Sequence, residues 1–286
     1  MSDLGTVITA IVTPFDERLA VDEDAFVSLM HHLAANGSDG FVVCGTTGEA
    51  STLSDDEQLA LIELAVRERP SGVSIIAGAG SNDTRHAMHL SERATELGAD
   101  AVLSVTPYYN RPSRRGILGH YEAVAGASGV PVILYNIPQR TGTDMPNDLL
   151  ARLAQIERID FVKQSNEANL APVDGLRIYA GNDDLFARTL DMGEAGGILV
   201  ASHLVGPQMH RMVDEPENRA SIDVSLQDVY KTLFLTASPT CTKAALAMLG
   251  HRVGGLRLPM VEADDAEREA VRAMLIRHDL LGHVTA

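Results

Sequence analysis

Gly40-Phe41-Val42-Val43-Cys44-Gly45-Thr46-Thr47-Gly48-Glu49 runs from a short apolar segment straight into a glycine-bounded turn. The apolar half reads as a compact strand without polar alternation, the mark of a parallel sheet covered on both faces. Ser54 then stands as an N-cap, with Glu57 three residues on completing a capping box, and a helix follows to about residue 69. Pro70-Ser71-Gly72 breaks it. The unit is strand, turn, helix.

The same unit repeats on both sides. Residues 7–12 (VITAIV) form a strand halted at Thr13-Pro14, followed by a helix whose stripe is Ala25, Phe26, Leu29, Met30 and Leu33. Further strands are expected at 73–77, 101–105, 132–135, 161–163, 178–180 and 198–200, with helices opening near Asn82 or Asp83, Arg115 and Pro146-Asn147. Eight such alternations predict an α/β fold of the (β/α)8 TIM-barrel kind over residues 1–204, with chemistry in the turns that follow the strands. Residues 205–286 are expected to supply the last barrel helix and a C-terminal helical appendage, with helices near 221–236, 240–249 and 264–281. The interval from Lys163 to Ile178 leaves room for only a turn or two of helix, so the sixth helix is stunted.

The chain has 286 residues, 45% of them hydrophobic, enough for one large core. Its net charge of −16 repels a polyphosphate backbone, and only scattered basic pairs such as Arg114-Arg115 oppose it, so nucleic acid is not an expected partner. Two cysteines, Cys44 and Cys241, have no metal-ligand spacing and fit a reducing, cytoplasmic setting. Met1-Ser2-Asp3-Leu4-Gly5 lacks the basic start and apolar run of a signal peptide, and no apolar run approaches a membrane span. No histidine pair has the HExxH spacing, and Gly78-Ala79-Gly80 is too short for a dinucleotide fingerprint.

Five places could carry chemistry. Lys163 ends the strand 161–163, sharing a face with Phe161; burial disfavours an ammonium, and a neutral amine attacks a carbonyl carbon. Taken alone, such a lysine more often bends to solvent or pairs with a carboxylate. The turn 45–49 can aim N–H groups and hydroxyls at a small anion; it lacks the Gly-Lys-Ser/Thr ending of a phosphate loop, which favours a carboxylate. Tyr135 ends a strand, and its phenol can relay protons if hydrogen-bonded to a hydroxyl such as that of Thr46, although a satisfied core tyrosine fits equally well. Tyr108-Tyr109 carries the same ambiguity. Arg140 has the planar fork that suits a carboxylate, or is an ordinary surface arginine.

In their order, Thr13-Pro14-Phe15, GTTGE at 45–49, TPYYN at 106–110, YNIP at 135–138, Arg140-Thr141-Gly142 and Val162-Lys163 resemble the dihydrodipicolinate synthase family, of the superfamily that includes N-acetylneuraminate lyase. The similarity runs from about residue 5 past Leu256-Arg257-Leu258-Pro259. It implies a Schiff base between Lys163 and pyruvate, with Thr47 and its loop amides on the pyruvate carboxylate. Tyr135, Thr46 and Tyr109 match a proton relay in which Tyr109 comes from a neighbouring subunit. Arg140 matches the residue that binds the carboxylate of aspartate-semialdehyde, and Ile198 a position near the lysine from the eighth strand. The resemblance also implies a homotetramer built as a dimer of dimers, with no metal and no cofactor.

Lys163 is followed by Gln164-Ser165-Asn166, where the resembled family usually has an acidic residue and then small ones. Lysine-inhibited members hold lysine near the tyrosine matched by Tyr108, with a glutamate and a histidine whose matching positions here carry His86 and Gln58, while Asn82 and Tyr108 are kept; weak or absent lysine inhibition is implied. Two other readings compete: another pyruvate-dependent aldolase, lyase or dehydratase acting on a sugar acid or other aldehyde, and a barrel without catalysis. Arg140 favours a second small carboxylate over a sugar acid, and the set Thr46, Tyr109, Tyr135 and Lys163 argues against a silent barrel.

Overall fold

The computed structural model describes residues 4–281; Met1-Ser2-Asp3, read above as part of a chain start without a leader, lies outside them. Strands β1 (Val7–Ala10), β2 (Gly40–Val43), β3 (Ser74–Gly78), β4 (Ala101–Val105), β5 (Val132–Asn136), β6 (Ile159–Gln164), β7 (Arg177–Ala180) and β8 (Gly196–Leu199) pair in chain order, all parallel, and β8 closes on β1. Closure leaves no strand edge unpaired.

Alternation along each strand separates two cores. Ile8, Val42, Ile76, Leu103, Ile133, Phe161 and Tyr179 fill the barrel interior. Phe41, Val43, Ile75, Val102, Leu134, Val162 and Ile178 face outward into the helix layer. Both faces of the sheet are therefore apolar, which is why the strands read as continuous hydrophobic runs.

Where the observed strands differ from expectation, a competing partner takes the backbone. Residues 7–12 were expected as strand, but the Val12 N–H donates to His203 Nε2 at 3.2 Å instead of to a neighbouring strand. The eighth strand stops at Leu199 because the N–H groups of Val200 and Ala201 donate to Asp183 Oδ1 at 3.0 and 2.9 Å. Cys44 leaves β2 by turning left-handed, at φ 57°.

The helix layer comprises α1 (Glu23–Ala35), α2 (Asp55–Glu68), α3 (Thr84–Glu96), α4 (Arg114–Ala127), the short α5 (Pro138–Thr141), α6 (Asn147–Leu153), α7 (Phe186–Asp191) and α8 (Ser202–Asp214). The capping box at Ser54 and Glu57 is present, and Asp83 caps α3. Beyond the barrel, α9 (Arg219–Leu233), α10 (Thr240–Met248) and α11 (Asp265–Arg277) form the C-terminal appendage. No helix of the described residues is long and apolar enough to cross a membrane.

Between β6 and β7 only one 3-10 turn stands, Glu167–Asn169. Leu170, Val173 and Leu176 cover the outer barrel face there. The Asp144 carboxylate binds the turn together, accepting from the side-chain amides of Asn136, Asn166 and Asn169 at 2.9, 3.1 and 3.0 Å. Gln164 belongs to this network: its Oε1 accepts from Asn136 Nδ2 at 3.0 Å and from the Asn166 N–H at 2.9 Å. One residue past Lys163, it points to the other side of the sheet.

Candidate active site

Lys163 sits on the inward face of β6, paired in register with Tyr135 of β5 and Tyr179 of β7. It is buried, and its Nζ lies 4.3 Å from the centre of the Tyr135 ring. Above it opens a cavity of about 510 Å³ at the C-terminal ends of the strands. Lys163, Tyr135, Thr46, Thr47 and Arg140 all line it. Two expected residues do not. Ile198 is wholly buried among the inner-barrel side chains, and the residue nearest it in sequence that lines the cavity is Val200. Tyr109 is 90% exposed, with φ 72°, and does not line the cavity of its own chain.

The turn 45–49 owes its shape to close backbone packing. A side chain on Gly78 would place its Cβ 2.0 Å from the Cys44 carbonyl oxygen, and one on Gly80 would come within 2.4 Å of the Val105 nitrogen. That gives Gly78-Ala79-Gly80 a steric purpose unrelated to nucleotides. Thr13 Oγ1 donates to the Gly48 carbonyl at 2.7 Å, and the Glu49 N–H donates to the Thr46 carbonyl at 3.1 Å. The amides of Thr47 and Gly48 meet no protein acceptor among the described residues. Together with the buried Thr47, they form the kind of donor concavity that holds a small carboxylate. Thr46 is exposed and shares no hydrogen bond with Tyr135 in this structure.

Arg140 projects from α5 at the cavity rim. Among the described residues its guanidinium has no hydrogen-bonding or ionic partner, so its five donors face the cavity mouth unspent. A few turns away along the same cavity, His86 Nε2 lies 3.0 Å from both carboxylate oxygens of Asp55, and His86 Nδ1 lies 3.2 Å from Ser81 Oγ. Gln58 donates to the Ala50 and Leu53 carbonyls at 3.1 and 3.4 Å, and Tyr108 also lines the cavity.

Several residues in or beside the site were not singled out from the sequence. Asp183, beyond β7, is buried, and burial pushes its carboxyl up to about 6 against the opposing pull of the Val200 and Ala201 N–H groups and of Lys163. Ser238 and Phe234 line the cavity from the appendage, and the Ser238 hydroxyl is buried without a protein partner. Phe234 falls in the helix expected near 221–236 and Ser238 just past it, but nothing in the sequence aims either at the cavity. The Cys44 thiol also lines the cavity, but burial pushes it far above its ordinary value, so it offers no thiolate nucleophile.

An interior lysine beside a phenol, an amide cradle and an unpaired guanidinium at the rim together suit the activation of a keto acid and its joining to a second carboxylate-bearing molecule. The model of the dihydrodipicolinate synthetase family matches residues 3–278. The 4-hydroxy-tetrahydrodipicolinate synthase of Heliobacterium modesticaldum is 42% identical over 291 residues, covering 97% of each chain. The crystal structure of the corresponding enzyme from Cyanidioschyzon merolae, with lysine bound, superposes with a TM-score of 0.94 at 36% identity, covering 98% of this chain and all of that one. The chloride-inhibited enzyme of Acinetobacter baumannii, complexed with pyruvate, gives 0.93 at 33% identity over 97% of this chain and all of that one.

Proposed function

The chain belongs to the dihydrodipicolinate synthetase family, and from that premise we propose that it condenses pyruvate with aspartate-semialdehyde through an iminium on Lys163, giving 4-hydroxy-tetrahydrodipicolinate for lysine and diaminopimelate synthesis. The observation that carries this reading is the pairing of a buried Lys163 with Tyr135 beneath an amide cradle, opposite an unpaired Arg140.

Lys163 Nζ attacks C2 of pyruvate and water leaves, forming the iminium. The positive nitrogen then accepts the electron pair of a C3–H bond as that proton departs, supplying the sink that a metal would otherwise provide. The resulting enamine carbon attacks the aldehyde carbon, whose oxygen takes up a proton. The amine of the semialdehyde then adds to C2 and displaces Lys163, closing the ring. Tyr135, Thr46 and a Tyr109 from a second copy of the chain move these protons. Thr47 and the loop amides hold the pyruvate carboxylate, and Arg140 the carboxylate of the aldehyde; Ile198 supports the lysine from below.

Sharing of Tyr109 makes at least a dimer the active form, and a dimer of such dimers in the cytoplasm is the assembly we propose. The exposure of Tyr109 and its strained left-handed backbone support this, since such strain persists where surrounding structure requires it. Borohydride added with pyruvate should leave one adduct, on Lys163, located by peptide mass mapping. An adduct elsewhere, or none, refutes the mechanism.

A further inference from the structure

Behind the turn 45–49 lies an ion pair that the chemistry above does not use. Glu49 Oε1 and Lys243 Nζ are 2.7 Å apart, with side chains 1% and 2% exposed. Lys243 also donates to the Gly255 carbonyl at 2.8 Å, and its Nζ sits 4.2 Å above the Phe15 ring. The other carboxylate oxygen of Glu49 accepts the Arg257 N–H at 3.1 Å. Burial lowers the Lys243 ammonium from its ordinary value, and Glu49 pulls it back.

Burying two ions is costly, and a well-packed neutral pair of similar volume usually stabilises a fold at least as well. The appendage is in any case fastened to the barrel by Arg257, which grips Glu57 at 2.6 and 2.8 Å and donates to the Leu19 and Thr52 carbonyls. The fold therefore has a cheaper clamp at the same seam. What distinguishes the buried pair is its place. Glu49 is held left-handed, at φ 55° and ψ 34°, two residues after Thr47, and its own carbonyl accepts from the N–H and hydroxyl of Thr52. Fixing its carboxylate fixes the direction in which the preceding amides point.

We propose that Glu49 and Lys243 are positioning residues for the pyruvate-carboxylate cradle, the appendage setting the geometry of the Thr47 and Gly48 amides through this ion pair. The proposal rests on the Schiff-base reading above. Its test uses the full chain with Glu49→Gln, Lys243→Met and the double substitution, which leaves no uncompensated buried charge. Folding is checked by urea unfolding, and pyruvate affinity by the concentration giving half-maximal borohydride adduct.

The double variant should fold, reach the same adduct at saturation and keep its KM for aspartate-semialdehyde, while half-trapping requires at least about tenfold more pyruvate, the cost of a cradle displaced by a fraction of an ångström. Each single variant should show at least that loss. Unchanged half-trapping in the folded double variant overturns the proposal, as does a double variant that cannot fold, since the pair is then structural. A wild-type protein without any adduct refutes the Schiff-base reading, and this one with it.

Discussion

Replacing Arg140 by alanine separates the two substrates. In the free protein the guanidinium is exposed and touches no carboxylate among the described residues, so its loss orphans nothing and should change stability by no more than about 0.5 kcal/mol. On the proposed reading, with aldehyde bound, the same fork should make a charge-assisted, two-pronged bond to a carboxylate, of a kind whose removal costs about 1.5–3 kcal/mol. At roughly 1.4 kcal/mol per tenfold, kcat/KM for aspartate-semialdehyde should fall about 10- to 150-fold. Solvent at the rim screens the pair and places the loss in the lower half of that range. Arg140→Lys should fall between, keeping the charge without the planar fork. The assay is steady-state kinetics in semialdehyde at saturating pyruvate, run beside borohydride trapping of pyruvate, which should be unaffected. An unchanged kcat/KM in the folded alanine variant refutes the assignment, and an equal loss in both measurements would move Arg140 to the pyruvate.

Three further outcomes follow from the geometry. Tyr109→Phe subunits mixed with Lys163→Ala subunits should recover activity absent from either alone, because a mixed pair assembles one intact site; no recovery in confirmed mixed oligomers counts against sharing. Lysine should inhibit weakly or not at all, since the only carboxylate lining the cavity among the described residues, Asp55, is already engaged by the His86 imidazole; strong inhibition below millimolar lysine, abolished by Tyr108→Ala, would show a working pocket. The hydrogen bonds from Arg257 hold the Glu57 carboxyl down at about 2, from an ordinary 4.5. A depressed carboxyl stabilises the fold above its ordinary value and loses that contribution as pH falls toward 2, so the urea midpoints of wild type and Glu57→Gln should be well separated at neutral pH and converge in acid.

Local physics made much of this legible in the chain. The strand 101–105 coincides with β4, because its apolar run is bounded by turn residues on both sides. The capping box at Ser54 lies where three-residue spacing placed it, and the short interval after Lys163 is indeed a single 3-10 turn. Lys163, Tyr135, Thr46, Thr47 and Arg140 were legible as cavity residues because each stands near the end of an apolar strand or in the turn after it, and barrel topology gathers strand ends into one place. What stayed hidden depends on contacts between distant segments. His203 ends β1 from nearly two hundred residues away, Asp183 ends β8, and Ser238 enters the cavity from the appendage. No periodicity encodes such meetings. Nor does an apolar run say where along it the cavity begins: Ile198 is buried in the barrel interior, and Val200, two residues on, lines the cavity.

The link between Glu49 and Lys243 also orders the events of synthesis. By residue 200 a ribosome has made all eight strands, but not Phe234 and Ser238, which line the cavity from the appendage. The turn 45–49 meanwhile lacks the ion-pair partner of Glu49 until residue 243 has left the exit tunnel, and the neighbouring clamp on Glu57 until residue 257 has followed. With elongation at roughly 5–20 residues per second, several seconds separate the eighth strand from these two contacts. On the proposed reading, the nascent chain carries its nucleophile during that time before the seat for pyruvate is set.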